Sequence, residues 1–165
     1  MPLNIVLHEP EIHSNTGNIG RTCVATGASL HLIKPLGFSL DDKHLKRAGM
    51  DYWKELDLHI YENYEDFLAK NPGAEIYYAT TKAHRCYTDV KYPENAFIMF
   101  GKESAGIPEE ILVDNEEYCV RIPMLGDTRS LNLSNSAAIM VYEYLRQRDF
   151  AGMRTGGELH RLKWK

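Results

Sequence analysis

Residues 121 to 136 read Arg121-Ile-Pro-Met-Leu-Gly-Asp-Thr-Arg-Ser-Leu-Asn-Leu-Ser-Asn-Ser136. Small polar residues fill the second half of this stretch, where apolar residues at helical spacing begin. These apolar residues are Leu133, Ala137, Met140, Val141, Tyr144 and Leu145. The pattern predicts a long helix that begins near Ser130 or Asn132, either of which can act as the N-cap. Because first-turn N–H groups have no helical partners, the stretch predicts either a binding site for a polar ligand or simply a well-capped core helix.

Short β-rich segments alternate with helical patterns along the chain. The predicted strands are Leu3 to His8, Leu30 to Lys34, Leu56 to Tyr61, Glu75 to Thr80, Ala96 to Gly101 and Tyr118 to Ile122. The predicted helices are Asn18 to Ala28, Asp42 to Ala48, Tyr64 to Lys70, Pro108 to Val113 and Asn132 to Asp149, with Pro108 as a first helical residue. Apolar strands such as Ile98-Met99-Phe100 are typical of a parallel sheet covered on both faces. The predicted fold class is therefore α/β.

The composition is that of a single globular domain. The chain has 165 residues, of which 44% are hydrophobic and 25% are charged. After Gly152 the sequence becomes polar and basic and contains Gly156 and Gly157, as an appended tail does. We therefore predict one domain over residues 1–152 and a basic C-terminal tail over residues 153–165.

Cysteine usage and hydropathy limit the cellular context. Cys23, Cys86 and Cys119 are odd in number, widely spaced and without a C-x-x-C pair, so they indicate neither a disulfide framework nor a zinc site. The N-terminus lacks a basic leader, and no apolar run approaches the ~20 residues that cross a bilayer. We expect a cytoplasmic protein with no membrane segment and no metal.

A formal net charge of −4 argues against a nucleic-acid partner unless cations cluster locally. They do so in three places. The clusters are Lys43 with Lys46 and Arg47, Lys82 with Arg85, and the tail with Arg154, Arg161, Lys163 and Lys165 against Glu158. Each cluster alone is typical of a solvated surface, and together they permit RNA binding without requiring it.

Polar, glycine-containing segments follow four of the predicted strands, at residues 8–18, 80–82, 101–106 and 123–130. Because the carboxyl ends of parallel strands share one edge, these segments predict one composite site, although turn formation explains each of them separately. The first segment has only Gly17 and Gly20 where a dinucleotide fingerprint has G-x-G-x-x-G. A phosphate loop, a G-x-S-x-G elbow and H-E-x-x-H are also missing from the sequence. Oxidoreductases, nucleotide hydrolases, serine hydrolases and zinc proteases are therefore disfavoured.

Three motifs carry a family resemblance. They are Asn15-Thr-Gly-Asn-Ile-Gly-Arg-Thr, then Met99-Phe-Gly-Lys-Glu-Ser-Ala-Gly-Ile-Pro, then Arg121-Ile-Pro-Met with Ser130-Leu-Asn-Leu-Ser-Asn. In this order and spacing they resemble the motifs of the SPOUT RNA methyltransferases. The length, the opening Leu3-Asn-Ile-Val-Leu and the block Leu36-Gly-Phe-Ser-Leu-Asp-Asp-Lys are similar to the minimal branch often called TrmL or YibK.

The resemblance implies a fold, a reaction and a partner. The fold is a parallel-sheet α/β domain whose C-terminal part forms a trefoil knot, although chains generally avoid knots. The reaction is methyl transfer from S-adenosylmethionine to the ribose 2′-hydroxyl of the wobble cytidine or uridine of tRNA. The enzyme is expected to act as a homodimer. By motif position, the implied cofactor contacts are Ala79, Gly101, Ile122 and Ser130, with Met124, Leu125, Leu131 and Asn135 nearby.

Arg21, the arginine of the first motif, is the residue that the family assigns to activating the hydroxyl. A guanidinium group has no acceptor and stays protonated, so we do not interpret Arg21 as a literal base. A cation beside the hydroxyl favours the alkoxide form and can hold a phosphate at the same time. We therefore expect Arg21 to orient and acidify the hydroxyl, with substrate phosphate or water accepting the proton.

Asn15 and Glu103 are the next candidates for catalytic roles. Asn15 can fix the first loop by side-chain hydrogen bonds or cap the following helix, and capping explains its presence about as well as a catalytic role does. Glu103 can accept hydrogen bonds from Asn15 or Arg21, or it can simply hold loops together. His8 and Glu9 also stand at a strand end but are left outside the chemistry.

We expect no additional N-terminal RNA-binding domain, and we therefore expect this domain and its dimer partner to hold the RNA. In the tail, Arg154, His160, Arg161, Lys163 and Trp164 offer phosphate contacts and a stacking surface, although a disordered solubilising tail fits equally well. Two alternative functions stay open. One is a SPOUT-fold RNA-binding module that has lost catalysis, and the other is a 2′-O-methyltransferase that acts on another tRNA or rRNA site.

Overall fold

The computed structural model describes residues 3–41, 43, 51–126 and 129–165. Within these ranges, six parallel strands form one sheet in the order β3-β2-β1-β5-β4-β6. The strands are β1 Asn4–His8, β2 Ser29–Ile33, β3 Leu58–Tyr61, β4 Ile76–Ala79, β5 Phe97–Phe100 and β6 Cys119–Val120. Asn4 of the central strand β1 is in register with Ser29 on one side and Phe97 on the other. Each predicted strand is present, with ends that differ by at most two residues.

Four α-helices connect or follow these strands in the described part of the chain. They are α1 His13–Thr26, α2 Tyr64–Lys70, α3 Glu109–Val113 and α4 Leu133–Arg146. Short 3₁₀ helices occupy Asp51–Glu55, Tyr87–Asp89 and Glu116–Tyr118. The helix predicted over residues 42–48 lies outside the described residues, apart from Lys43. None of the helices in these ranges is both long and apolar enough to cross a membrane.

Helix α1 begins at His13, five residues before the predicted start at Asn18. Its N-cap, Ile12, has no side chain that could accept from the free N–H groups of the first turn. The N–H groups of Glu11 and Ile12, which immediately precede the helix, donate to the carboxylate of Glu103, 92 and 91 residues further along the chain. A local capping pattern could not reveal this start, because the acceptor comes from a distant loop.

The other helix starts agree better with the sequence. The sequence predicts Ser130 or Asn132 as the N-cap of α4, and the structure shows that it is Asn132. The Asn132 side chain accepts hydrogen bonds from the N–H groups of Ser134 and Asn135. Pro108 is the N-cap of α3 and not its first helical residue, because its ψ of 136° is extended while its φ of −53° fits either position.

The sheet is covered on both faces, as its apolar strands predict. In β1, the side chains of Ile5 and Leu7 belong to one core cluster and the side chain of Val6 belongs to the other. All three are completely buried. Burying each such side chain stabilises the fold by roughly 1.5–3 kcal/mol relative to exposing it. The near-continuous apolar sequence of the central strands follows from this two-sided burial.

The C-terminal end of α4 is tied to the segment that precedes β5. The Gln147 side chain donates to the Val90 carbonyl oxygen over 2.8 Å and accepts from the Tyr92 N–H over 3.0 Å. Arg148 donates to the Tyr92 carbonyl oxygen over 2.8 Å. Hydrogen bonds from Arg146 and Gln147 also lower the pKa of the buried Glu143. The last helix is therefore held at both ends, since its first turn is capped by Asn132.

Candidate functional site

The carboxyl ends of the strands lie at one edge of the sheet. Strands β1 and β5 are neighbours in the sheet. After β1 the chain continues to β2 on one side of this pair, and after β5 it continues to β6 on the other side. Open parallel sheets bind ligands where connections diverge in this way. A pocket of about 450 Å³ opens at this edge. Its volume lies within the roughly 300–1,000 Å³ that small-ligand sites occupy.

Four segments line the pocket, and each follows a strand or begins a helix. They are residues 79–82 after β4, residues 100–107 after β5, residues 120, 122 and 124 from β6 onward, and residues 130–133 with 136 at the start of α4. Ile12 and Asn15 add the end of the first loop and the first turn of α1. The polar segments that follow four strands in the sequence thus converge on one cavity.

The loop after β5 is closed so tightly that Gly101 has no room for a side chain. A Cβ atom there would lie 1.9 Å from the carbonyl carbon of Gly106 and 2.1 Å from the nitrogen of Ile107. The Gly106 N–H donates to the Lys102 carbonyl oxygen over 2.8 Å, and Gly106 itself adopts a φ of +70°. Two glycines are therefore required by geometry, one for close approach and one for the left-handed turn.

Glu103 projects from this loop and holds the beginning of α1. Its carboxylate accepts from the N–H of Glu11 at 2.8 Å, from the N–H of Ile12 at 3.1 Å and from the amide Nδ2 of Asn15 at 3.2 Å. A carboxylate that accepts three hydrogen bonds near a helix N-terminus is also favoured by the helix dipole. Glu103 therefore fixes the loop after β1 to the loop after β5.

Asn15 extends the same network to the last helix. The Asn15 side chain is buried, and its Oδ1 accepts from Nδ2 of Asn132 over 3.0 Å. Oδ1 of Asn132 in turn accepts from the N–H groups of Ser134 at 2.9 Å and Asn135 at 3.3 Å. Glu103, Asn15 and Asn132 thus connect the three sequence motifs through side chains; we call them the positioning network. The Ser134 and Asn135 N–H groups are consequently used by the cap and do not point freely into the pocket.

The remaining pocket surface combines an apolar wall with a polar mouth. Phe100 and Val120 are core residues, and Ile122 and Leu133 pack against the same core cluster. The polar lining residues are Thr80, Thr81, Lys82, Lys102, Ser104, Ser130 and Ser136. Both lysines are paired, Lys82 with Glu109 at 2.9 Å and Lys102 with Glu9 at 3.4 Å. Such a pocket suits a ligand that has an apolar ring and several polar groups.

Six of the eight predicted cofactor contacts line this pocket, namely Ala79, Gly101, Ile122, Met124, Ser130 and Leu131. Leu125 and Asn135 do not. The Leu125 side chain is fully exposed, because it lies in the loop beyond the wall formed by Ile122 and Met124. Asn135 stands in the first turn of α4 and is exposed, while Asn132 and Ser136 take the places beside the cavity.

Of the three predicted catalytic residues, Asn15 and Glu103 line the pocket and Arg21 does not. Arg21 lies six residues after Asn15 in α1, which is roughly 240° around the helix axis at 3.6 residues per turn. Its side chain is exposed, with the guanidinium carbon 6.0 Å from the centre of the Tyr52 ring. The Tyr52 hydroxyl donates to the Gly17 carbonyl oxygen, so this ring is anchored to α1.

Asn132 and Lys102 are site residues that the sequence interpretation did not assign. Asn132 was recognised only as a possible cap, and Lys102 only as part of a loop. Their positions beside the cavity depend on side-chain contacts with Asn15 and Glu9, more than 90 residues away in the sequence. The sequence analysis did name the hydrogen bond from Asn15 to Glu103, which is confirmed. It gave no signal for the pairs that Asn132 and Lys102 form.

His8 and possible metal ligands stay outside this chemistry. Burial lowers the pKa of His8, and its ring packs edge-on against Tyr64. Over the described ranges, no group of three His, Cys, Asp or Glu side chains has a geometry that could hold a metal ion.

Most of the chain matches one known protein family. The model of the SpoU rRNA methylase family matches residues 2–142. The chain belongs to this family. The resemblance of the three motifs to SPOUT RNA methyltransferases is thereby confirmed.

Individual SpoU methylases are similar over nearly the whole chain. A relative from Listeria innocua is 54% identical over 156 residues, which are 93% of this chain and 92% of that protein. A tRNA (cytidine(34)-2′-O)-methyltransferase from Methylovorus glucosotrophus is 49% identical over 150 residues, which are 90% of this chain and 97% of that protein.

Solved structures extend the comparison to three dimensions. A structure described as giving insight into 2-OH methylation of C/U34 on tRNA has a TM-score of 0.83 at 40% identity, covering 90% of this chain and 97% of that one. An AdoMet-bound rRNA methyltransferase from Sinorhizobium meliloti has a TM-score of 0.77 at 26% identity. That match covers 88% of this chain and 56% of the Sinorhizobium chain. The parallel-sheet α/β fold is therefore the fold of SpoU methyltransferases.

Proposed function

We propose that this protein transfers the methyl group of S-adenosylmethionine to the ribose 2′-hydroxyl of nucleotide 34, cytidine or uridine, in the anticodon loop of tRNA. The observation that carries the proposal is the 49% identity, over nine tenths of the chain, to a tRNA (cytidine(34)-2′-O)-methyltransferase. The structural neighbour concerned with C/U34 of tRNA supports the same substrate.

The pocket residues fit S-adenosylmethionine. Ile122, Met124 and Leu131 give an apolar surface for adenine, and Ser130 with the backbone at Ala79 and Gly101 gives directed hydrogen-bonding groups. Bound there, the cofactor supplies an electrophilic methyl group on a sulfonium centre. The absence of a side chain at Gly101 lets the backbone of Gly106 and Ile107 close against it, which keeps the loop beside the cavity compact.

Arg21 requires a second copy of the chain for its proposed role. It lies on the face of α1 that is turned away from the pocket of its own chain. We therefore infer a homodimer in which α1 of one protomer presents Arg21 to the pocket of the other. A symmetric dimer would complete both sites in the same way.

In this arrangement Arg21 acts on the hydroxyl by its charge. A guanidinium next to the ribose stabilises the negative charge that develops on the 2′-oxygen, and its fork can hold the adjacent phosphate. The proton passes to substrate phosphate or to water, because the guanidinium group has no acceptor. Methyl transfer also needs the oxygen aligned with the methyl group, so positioning contributes in addition to charge.

Asn15 and Glu103 contribute through the positioning network. Their hydrogen bonds already connect the first loop, the glycine loop and the start of α4. We propose that they set the width of the pocket mouth, while Arg21 activates the hydroxyl and substrate phosphate or water accepts its proton. The capping interpretation of Asn15 is wrong, because Ile12 is the N-cap of α1 and Asn15 lies within the helix. The role that we propose for Asn15 is therefore one of positioning.

We also propose that the C-terminal part of the chain is threaded into a trefoil knot. Family membership supports this proposal, together with the way α4 starts at the pocket and ends bound to Val90 and Tyr92. Pulling a single molecule from its two ends by optical tweezers tests it. A knotted chain has an extended length shorter than its residue number gives, whereas an unknotted chain reaches the full length.

Organisation and location follow from the same proposal. We propose one catalytic domain over residues 1–152, a basic tail over residues 153–165, and a cytoplasmic protein. Cys23, Cys86 and Cys119 are free thiols, and burial raises the pKa of Cys23 to about 12. A buried thiol with a raised pKa is rarely a thiolate and is therefore slow to oxidise. The free cysteines are consistent with a reducing compartment.

One experiment tests the reaction and its alternatives. The protein is incubated with total tRNA, total rRNA and labelled S-adenosylmethionine, and methylated riboses are mapped by mass spectrometry. Methylation at position 34 of tRNA is the expected result. Methylation only at another tRNA position or in rRNA would replace the substrate, and calorimetry without measurable cofactor binding would leave an inactive RNA-binding module.

A further inference from the structure

The C-terminal tail differs in charge from the rest of the molecule. Residues 153–165 contain Arg154, Arg161, Lys163 and Lys165 but only one acidic residue, Glu158, which gives a formal charge of +3. Because the whole chain carries −4, the other residues together carry −7. A polyanion therefore meets net repulsion from residues 1–152 and attraction from the tail.

The tail is fully available to a partner. Every residue from 154 to 165 is exposed, and Trp164 retains 66% of its maximal exposure. Within the tail, the Arg154 side chain donates a hydrogen bond to the Gly156 carbonyl oxygen. Across the described residues, no hydrogen bond or salt bridge joins residues 154–165 to the domain. The cations and the indole ring are thus not used by the fold.

The tail does not belong to the pocket of its own chain. Residues 130–136 at the start of α4 line the pocket, and the tail follows the opposite end of this 14-residue helix. The two ends are roughly 20 Å apart at 1.5 Å per residue. Twelve residues in extended conformation can span at most about 40 Å, so the tail can reach well beyond the surface of the domain.

We propose that residues 153–165 form an RNA-binding arm that holds the tRNA backbone next to the anticodon loop, with Arg161, Lys163 and Lys165 on phosphates and Trp164 stacked on an unpaired base. This inference rests on the proposed function and names the segment that holds its substrate. Alternation of cations with an aromatic ring is the composition that single-stranded RNA sites use. The arm acts on substrate binding and not on the cofactor pocket.

Binding measurements test the arm directly. Full-length protein, a variant that ends at Met153, and a double variant Arg161→Gln with Lys163→Gln are titrated with a tRNA transcript that has cytidine at position 34. The titrations are repeated from 50 to 300 mM KCl. Truncation should weaken binding at least about fivefold and reduce the slope of log K against log salt by about 2 to 4, because four cations are lost. S-Adenosylhomocysteine affinity should not change.

The matched control removes the same charge elsewhere. Lys70→Gln with Lys91→Gln neutralises two exposed lysines of the domain, neither of which lines the pocket. This pair should leave tRNA affinity and the salt slope almost unchanged. Equal losses in both double variants would mean that only net charge matters, and the arm would be rejected.

Trp164 gives an independent signal. The chain has two tryptophans, so Trp53→Phe leaves Trp164 as the only indole. Trp164 fluorescence should be quenched on addition of tRNA and not on addition of S-adenosylhomocysteine. An unchanged Trp164 spectrum at saturating tRNA would contradict base stacking.

The outcomes separate this inference from the proposed function. If full-length and truncated proteins methylate position 34 with the same KM and the same salt dependence, the arm is wrong and the function stands. If tRNA affinity rises on truncation, the tail shields the domain and the arm is equally wrong. If full-length protein neither binds nor methylates tRNA, both proposals are overturned.

Discussion

The two faces of α1 are treated very differently by the fold. On one face, Asn15 is buried and held by Glu103 and Asn132. On the other face, Arg21 is exposed and has the Tyr52 ring as its neighbour. Both residues come from the same short motif. The difference supports our proposal that the motif has two roles, one in positioning within its own chain and one in chemistry at the pocket of a second chain.

Replacing Arg21 tests the exposed face and should have the largest effect. For Arg21→Ala we expect kcat to fall by roughly 10²- to 10⁴-fold, because the charge that stabilises the developing alkoxide is lost. Cofactor affinity by calorimetry and the unfolding free energy should stay nearly unchanged, since Arg21 does not line the pocket. A large loss of cofactor affinity would refute the separation of the two faces.

Mixing inactive variants shows whether Arg21 acts across the dimer. Ser130→Arg fills the pocket from its exposed mouth and should abolish cofactor binding. This variant is mixed with an equal amount of Arg21→Ala, and the two are unfolded and refolded together. About half of the dimers are then mixed, and each mixed dimer has one complete site. The mixture should therefore regain about a quarter of wild-type activity. If activity does not return while native mass spectrometry shows mixed dimers, Arg21 serves its own pocket.

Glu103→Gln tests the buried face and should act mainly on stability. The change removes the charge from three hydrogen bonds to Glu11, Ile12 and Asn15. We expect the unfolding free energy in urea to fall by about 1–3 kcal/mol. The KM for S-adenosylmethionine should rise more than kcat falls, because the pocket loses its fixed width. Full stability with a selective loss of kcat would instead place Glu103 in the chemistry.

Asn132→Ala should cost less, about 1 kcal/mol of unfolding free energy, for the loss of an N-cap. Asn135→Ala is the matched control, because Asn135 stands in the same turn but neither caps the helix nor lines the pocket. Its effect should stay within about 0.5 kcal/mol. Equal effects of the two changes, measured by urea unfolding, would mean that the link from Asn132 to Asn15 is not important.

The smallest effect is expected for Tyr52→Phe. Phenylalanine keeps an aromatic face beside Arg21 but loses the hydroxyl that donates to Gly17. We expect a decrease in kcat of about two- to fivefold, corresponding to a fraction of one hydrogen bond. Tyr52→Ala, which also removes the ring, should decrease kcat further. No difference between the two variants in single-turnover assays would show that the ring does not orient Arg21.

The sequence predicted the architecture more accurately than the site. Strand positions followed from apolar segments that are buried on both faces, and α4 followed from its apolar periodicity and from Asn132 as a cap. The start of α1 was missed by five residues because its acceptor is Glu103, which a local pattern cannot identify. The same limitation applies to Asn132 and Lys102, whose partners are distant in sequence.

By itself the sequence determined the α/β class, the order of its strands along the chain, the helix that starts at the polar stretch, and the three motifs that mark a SpoU methylase. Periodicity, turn residues and caps are local, so they are readable in one dimension. Only the tertiary structure decided that Glu103 accepts from Asn15 and that Asn132 joins these two residues in one network. It also placed Arg21 on a face turned away from them. Which side chains meet depends on the order of strands in the sheet and on helix rotation, and both are set by packing between distant segments.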